Sequence, residues 1–118
     1  MSDPKRIAAL MKENSLSIID YLAETIELKH EPPSPMDGLV KSSMLSAAMR
    51  GAAQDTSTHR ENTDITAEGD VIIQRSIVTI TGEDQKVHTS AHTARYMIAN
   101  GRIVALYSHY QPTVPNTQ

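Results

Sequence analysis

The stretch from residue 70 to residue 111 constrains the fold more than any other part of this 118-residue chain. It holds three runs rich in β-branched residues, at 71–81, 87–98 and 103–110. Gly82-Glu83-Asp84 separates the first two runs. Asn100-Gly101, a pair that tolerates the positive φ of a tight hairpin turn, separates the last two. Since neither outer run contains Pro or Gly, the pattern predicts three long antiparallel strands.

Composition limits how the chain can build a core. It has no Trp, no Phe and no Cys, so the core must consist of aliphatic residues and Met. One thin layer of such side chains is marginal at this size, which favours a homodimer that covers the other sheet face. The lack of Cys excludes disulfides and thiolate metal sites and agrees with a cytoplasmic protein.

Charge and hydropathy argue against two classes of partner. The formal net charge of -3 provides no basic footprint for nucleic acid or for an anionic membrane. No apolar run approaches the ~18 residues of a membrane span, and the N-terminus lacks the apolar stretch of a signal peptide. Nothing in the sequence requires a cofactor.

The residues before this stretch predict mainly helices. Asp3-Pro4 is typical of a helix start, and a second helix is expected from residue 14 or 15. Residues 25–31 alternate, with Ile26, Leu28 and His30 on one face, and predict a half-buried strand. Residues 36–53 predict a helix, 56–66 a polar strand, and 112–118 a flexible tail. The order of elements indicates one α+β domain over residues 1–118.

Three features resemble the SnoaL-like branch of the NTF2-like superfamily: the order of elements, the passage IIDYLAETIELKHEP at 18–32, and the closing NGRIVALYSHY at 100–110. The likeness extends from about residue 5 to residue 111. It implies an α+β cone, in which a curved antiparallel or mixed sheet wraps about three N-terminal helices. Ketosteroid isomerases, polyketide cyclases and limonene-epoxide hydrolases share this fold, so the resemblance implies a scaffold rather than one reaction.

Only some of the family's catalytic residues have a counterpart in this sequence. Ketosteroid isomerases are expected to hold their base just before a proline at the end of the first strand, which is Glu31 here. Their oxyanion-stabilising acid is expected at 87–98, which contains no Asp or Glu, so that role falls to His92, to Tyr96 or to no residue. Ser108 stands where epoxide hydrolases and several cyclases have an Asp, and it cannot transfer a proton as an Asp does. Those two mechanisms are therefore disfavoured.

By the same resemblance, one face of the last two strands is expected to look into the cone. Side chains two apart share a face of a strand. The expected catalytic residues are Glu31, His92 and Tyr96, and the expected ligand contacts are His88, Leu106, Ser108, Tyr110 and Tyr21. A register error of one residue would exchange the whole set for the opposite face.

Each candidate residue also has an ordinary structural explanation. His92 suits general acid–base catalysis in a cavity, or it is a polar residue satisfied by a neighbour on a partly solvated face. Glu31 suits proton abstraction, or it is a solvated carboxylate at a strand end. Tyr96 and Tyr110 offer hydroxyl groups to a ligand, or they simply pack.

A metal site at His88 and His92 is not predicted. The two residues are four apart, and a strand separates such positions by about 13 Å at ~3.3 Å per residue. A single ion needs all of its ligands near ~2 Å, so the pair cannot chelate it.

Two functions remain open from the sequence. The first is a small-molecule-binding protein with an apolar cavity, which isomerises an oxygenated apolar ligand by proton transfer. Glu31 or His92 would be its base, and Tyr96 or Tyr110 would donate to the oxyanion. The second is a non-catalytic, dimeric interaction module with a vestigial cavity, which the lack of acidic residues on the three long strands favours.

Overall fold

The structure, a computed structural model, describes residues 3–112 as a six-stranded sheet with helices packed on one face. The helices are α1 (Pro4–Glu13), a 3₁₀ helix (Ser15–Tyr21) and α2 (Ser42–Ala53). The strands are β1 (Leu22–Glu31), β2 (Gly38–Lys41), β3 (Thr58–Glu68), β4 (Val71–Thr81), β5 (Val87–Ala99) and β6 (Arg102–Pro112).

The predicted meander is confirmed. β4 pairs antiparallel with β5, and β5 pairs antiparallel with β6. Asn100 and Gly101 have φ values of 53° and 74°, as the two central residues of a type I′ hairpin require. This turn fixes the register, and the register decides which side chains of β5 and β6 face the helices.

The first strand makes the sheet mixed. β1 pairs in parallel with β6, so that His30 lies beside Ser108. On its other edge β1 pairs antiparallel with β2, with Leu28 opposite Gly38. The resulting strand order is β2-β1-β6-β5-β4-β3. The end of β1 therefore lies beside the second half of β6, the last strand of the meander.

The two N-terminal helices begin near the predicted residues. The Asp3 carboxylate accepts the Arg6 N–H at 2.8 Å and caps α1. The side-chain oxygen of Asn14 accepts the Leu16 N–H at 3.0 Å, but the segment that follows is a 3₁₀ helix rather than an α-helix. It is short because the chain becomes extended at Leu22, where β1 begins.

The predicted helix at 36–53 is only partly correct. α2 begins at Ser42, and the residues before it form β2. Gly38 has a φ of 120°, which a helix cannot include and which side chains other than glycine rarely adopt. The backbone of β2 instead makes its hydrogen bonds along the edge of β1.

The core is aliphatic, as the composition requires. Its largest fully buried side chains are Ile7, Met11, Ile18, Ile26, Ile72 and Ile103. They join residues of both α-helices and of the inner face of the sheet, which is the face packed against the helices. Such interiors are close-packed, so the loss of even one methylene is felt.

The outer face of the sheet is partly covered by its own side chains. Ile73 and Ala105 are nearly buried there, whereas Arg95 is exposed. Arg75 donates a hydrogen bond to the Asp64 carboxylate at 2.9 Å. The homodimer expected through this face stays a prediction.

Two further sequence expectations concern the ends of the chain and the membrane. Pro112 is the last residue of β6, and the rest of the expected tail, 113–118, lies outside the described residues. Among the helices of residues 3–112, none is long and apolar enough to span a membrane.

Shortening Ile72 tests how tightly this core is packed. Because the side chain is completely buried, I72A should lower the free energy of unfolding by ~2–5 kcal/mol and I72V by ~0.5–1.5 kcal/mol. V87A removes methyl groups from an exposed side chain and should change it by less than about 0.5 kcal/mol. Urea unfolding followed by circular dichroism measures all three. Equal losses for I72A and V87A would contradict the packing described here.

Candidate functional site

A pocket of about 500 Å³ lies between α2 and the inner face of the sheet. The wall formed by α2 is apolar and includes Leu45, Ala48 and Met49. The sheet forms a more polar floor, whose residues are Leu28 and His30 from β1, Thr58 and Arg60 from β3, Gln74 from β4, His92 and Tyr96 from β5, and Leu106, Ser108 and Tyr110 from β6. A mainly apolar concavity of ~300–1,000 Å³ with a few polar groups is typical of small-molecule sites.

His92 is the most constrained polar side chain of the floor. It is only 5% exposed. The Nη1 atom of Arg60 lies 2.5 Å from its Nδ1 and also donates to the Ser76 hydroxyl at 2.8 Å. Tyr110 stacks on the imidazole, with ring centroids 4.2 Å apart and planes at 8°. Position and ring orientation are therefore both fixed.

The contact with Arg60 also fixes the tautomer of His92. A guanidinium group can only donate, so Nδ1 accepts, and the proton of the neutral ring lies on Nε2. Nε2 is buried and has no hydrogen-bond partner among the described residues. Unpaired buried donors are rare because each costs ~1–3 kcal/mol. This N–H is thus the polar group that most requires a partner.

The charge state of His92 agrees with that tautomer. Burial is the main cause that lowers the pKa of His92 to about 4; the charge of Arg60, and the charge that His30 carries when it is protonated, lower the pKa further. The imidazole is therefore neutral at physiological pH. At this position the ring can donate a hydrogen bond but does not take up a proton.

Tyr96 is committed to a network inside the protein. Its hydroxyl donates to the Gln74 side-chain oxygen at 2.7 Å, and the Gln74 amide donates to the Asn62 oxygen at 2.8 Å. Burial raises the pKa of Tyr96 to about 12. Since a hydroxyl has one proton to donate, Tyr96 can accept from a ligand but not donate to it without breaking this network.

His30 and Asp37 form a second polar pair at the edge of the pocket. The Nδ1 of His30 lies 2.6 Å from Oδ1 of Asp37, and their side chains are 21% and 27% exposed. The hydrogen bond from His30 is the main cause that holds the pKa of Asp37 below its usual value. Oδ2 of Asp37 accepts the Ser34 N–H at 3.2 Å. Asp37 is thus ionised, and both of its carboxylate oxygens accept hydrogen bonds.

The structure brings together most of the sequence-predicted site. His92, Tyr96, Leu106, Ser108 and Tyr110 all line the pocket. Their shared face is the one expected from the family resemblance.

Three predicted residues lie elsewhere. Glu31 lies on the outer face, with its carboxylate 3.3 Å from Nδ1 of His109 and 68% of its side chain exposed. His88 is exposed near the turn that joins β4 and β5, and Tyr21 packs against the core outside the pocket lining. The alternation of β1 explains the placement of Glu31, since adjacent strand residues point to opposite faces and His30 faces the pocket.

The sequence alone did not predict a role for Arg60, Gln74 or Asp37. Arg60 contacts Ser76 and His92, which are 16 and 32 positions away, and Gln74 contacts Tyr96, which is 22 positions away. No local pattern marks these contacts. For Asp37 the sequence does contain a weak indication. His30 and Asp37 flank a proline-rich turn, and recognising β2 as a hairpin partner of β1 would have predicted their approach.

A metal site is not apparent in the described part of the chain. Within residues 3–112, no three His, Asp or Glu side chains are placed to hold an ion together.

The folded chain is similar to several solved structures. An NTF2-like protein from Burkholderia thailandensis superposes with a TM-score of 0.70 at 14% identity, over 94% of this chain and 92% of that one. The chain has the NTF2-like fold. A protein described as a SnoaL-like polyketide cyclase, from Mesorhizobium loti, gives a TM-score of 0.64 at 18% identity, over 88% and 96%. An LEH-like epoxide hydrolase from M. tuberculosis gives 0.56 at 10% identity, over 91% and 77%.

These likenesses confirm the predicted α+β, NTF2-like cone with a mixed sheet. No family model matches the chain, and no curated protein matches its sequence. At identities of 10–18% the similarity shows the fold alone. Because one fold supports many reactions, the function has to be argued from the pocket.

The environment of His92 should appear in the pH dependence of stability. An unfolded histidine binds a proton near pH ~6.5, whereas folded His92 does so near pH 4. Between these values the unfolded chain binds more protons, so the free energy of unfolding should rise with pH. H92Q should reduce this slope by up to about 1.4 kcal/mol per pH unit. Urea unfolding between pH ~4.5 and ~7 measures it.

A second histidine variant provides the control for this measurement. H88Q removes an exposed imidazole and should leave the slope unchanged. If H92Q and H88Q behave alike, folded His92 is not the neutral residue described here.

Proposed function

We propose that this protein binds a small, mainly apolar molecule that carries a carbonyl oxygen, and that it isomerises this molecule by proton transfer. The observation that carries the proposal is the buried Nε2–H of His92, which has no partner among the described residues. A ligand oxygen that reaches this N–H would supply the hydrogen-bond acceptor that the protein does not.

The rest of the pocket suits the hydrocarbon part of such a ligand. Leu45, Ala48 and Met49 form the wall on α2, and Leu106 lies in the floor. Burial of apolar ligand surface there contributes roughly 25 cal/mol per Å². Met49 adapts to different shapes because its side chain is unbranched. The wall therefore provides affinity, and the polar floor orients the ligand.

Isomerisation is the reaction that this donor favours. When a ketone loses a proton from the adjacent carbon, negative charge develops on its oxygen. A fixed, buried N–H directed at that oxygen stabilises the charge, and removal of one such donor typically costs ~10²–10³ in kcat. In this proposal His92 is the oxyanion donor rather than the base, and Tyr96 supports the floor of the pocket.

Two ligands with the same carbon skeleton, one a ketone and the other a hydrocarbon, distinguish the contribution of the His92 N–H from that of the apolar wall. H92F keeps an aromatic ring that can stack on Tyr110 but lacks the N–H. It should weaken binding of 2-tetralone about tenfold, equivalent to one hydrogen bond. Binding of tetralin should change less than about twofold, since tetralin has no oxygen to accept. Ligand-detected NMR titration measures both dissociation constants.

Filling the pocket should give the complementary result. Ala48 lines the α2 wall, and A48L retains a strong helix former while occupying space. A48L should weaken 2-tetralone and tetralin alike. If neither molecule binds the unaltered protein, the proposal is wrong, and the non-catalytic interaction module becomes the better explanation. If H92F weakens both ligands equally, the donor role fails.

A further inference from the structure

Proton transfer requires a base, and the pocket contains few groups that can serve. Among its described lining residues there is no Asp or Glu. In His92, Nδ1 accepts from Arg60 and Nε2 carries the proton, so that ring has no unused lone pair. The Tyr96 hydroxyl is engaged with Gln74 and holds its proton at neutral pH. Other phenols and guanidinium groups are generally protonated there too.

His30 differs from these groups in the nitrogen that it leaves available. The Asp37 carboxylate can only accept, so Nδ1 of His30 donates to it at 2.6 Å. In the neutral ring, Nε2 then keeps a lone pair. The ring itself borders the pocket. Because both oxygens of Asp37 are engaged, by His30 and by the Ser34 N–H, the carboxylate holds the imidazole in one orientation.

We propose that His30 is the catalytic base of this pocket and that Asp37 is the positioning residue that fixes its tautomer and orientation. The assignment rests on the proposed function, and it names the residue that moves the proton. The substrate class that follows is a small apolar ketone with an acidic C–H next to the carbonyl.

The sheet register places the two histidines near enough to share one ligand. His30 pairs with Ser108, Ser108 pairs with Ala94, and His92 is two residues from Ala94 on β5. Two strand spacings of ~4.8 Å and two rises of ~3.3 Å place the Cα atoms of His30 and His92 roughly 12 Å apart on the inner face. Their imidazoles extend from there toward one pocket. One ketone can therefore contact both groups, with its oxygen toward His92 and the adjacent carbon toward His30.

The proposed step balances without any other reactant. The Nε2 lone pair of His30 takes the proton from the carbon next to the carbonyl. The electron pair of that C–H bond becomes the new C=C bond, and the carbonyl π pair moves onto oxygen, which accepts from Nε2–H of His92. In an unsaturated ketone, the imidazolium then returns the proton to the far carbon of the conjugated system. The carbonyl re-forms, and the double bond has moved.

Hydrogen–deuterium exchange tests the first half of the step without a known substrate. In D2O, 2-tetralone should exchange its protons next to the carbonyl faster with the protein than in buffer, as followed by ¹H NMR. H30Q should lower the protein-dependent rate by about 10²-fold or more and leave the dissociation constant of 2-tetralone within about twofold. H59Q, which alters an exposed histidine outside the pocket, should leave the rate unchanged.

Chemical rescue covers the case in which H30Q does not fold. H30A opens space at the same position, and added imidazole should restore part of the exchange rate. For the second half of the step, 3-cyclohexen-1-one should convert to its conjugated isomer, detected by ultraviolet absorbance, and H30Q should slow this conversion likewise.

Asp37 needs a measurement that a purely structural role would not change. In the unaltered protein, ¹⁵N NMR of neutral His30 should show the proton on Nδ1. D37A should give a mixture of tautomers and a lower exchange rate, whereas D37E should restore both in part. An unchanged tautomer in D37A would overturn the positioning role.

The outcomes distinguish this inference from the function on which it rests. If 2-tetralone does not bind, the proposed function fails. If it binds through His92 but exchanges no faster than in buffer, or exchanges equally fast in H30Q, the assignment of His30 as base is wrong and the binding site remains.

Discussion

The contact between Arg60 and His92 determines the chemistry available in the pocket. An arginine cannot accept a hydrogen bond, so its approach to Nδ1 fixes the proton on the opposite nitrogen, and burial beside a positive charge keeps the ring neutral. The Ser76 hydroxyl gives the guanidinium a further partner, and Tyr110 covers a face of the imidazole. Without Arg60, His92 could exchange tautomers, and either ring nitrogen could carry the proton.

The fold follows from local patterns more readily than the site does. The Asn100-Gly101 turn and the uninterrupted β-branched runs identify the meander, because turn geometry and strand preference are local properties. The pairing that brings Arg60 to His92 spans 32 positions and leaves no local trace. The choice of Glu31 has a different explanation. The alternation along β1 already grouped His30 with the buried Ile26 and Leu28, whereas the family resemblance pointed to the residue before the proline. The alternation of residues along β1 indicated, better than the resemblance did, which residue faces the pocket.

The pocket lining, rather than the backbone, distinguishes the site of this chain. The chain superposes on proteins described as a polyketide cyclase and an epoxide hydrolase, yet at 10–18% identity the shared property is the backbone. Among its described residues, the pocket lining contains no carboxylate. Asp37 is hydrogen-bonded to the lining residue His30 but does not itself line the pocket. Negative charge is thus kept from the apolar interior, where an unpaired carboxylate would be costly.

His30 and Asp37 come from elements with unequal freedom to change. His30 is part of a strand paired on both edges, whereas Asp37 belongs to a turn closed by its own bonds, in which Ser34 O accepts the Asp37 N–H and Ser34 N donates to the Asp37 side chain. Surface turns accept insertions and substitutions that strands do not. Substitutions in the turn can therefore change how the His30 imidazole is oriented, while the sheet stays unchanged. Under the proposed function, a change in this one short connection would alter the base without altering the sheet that carries it.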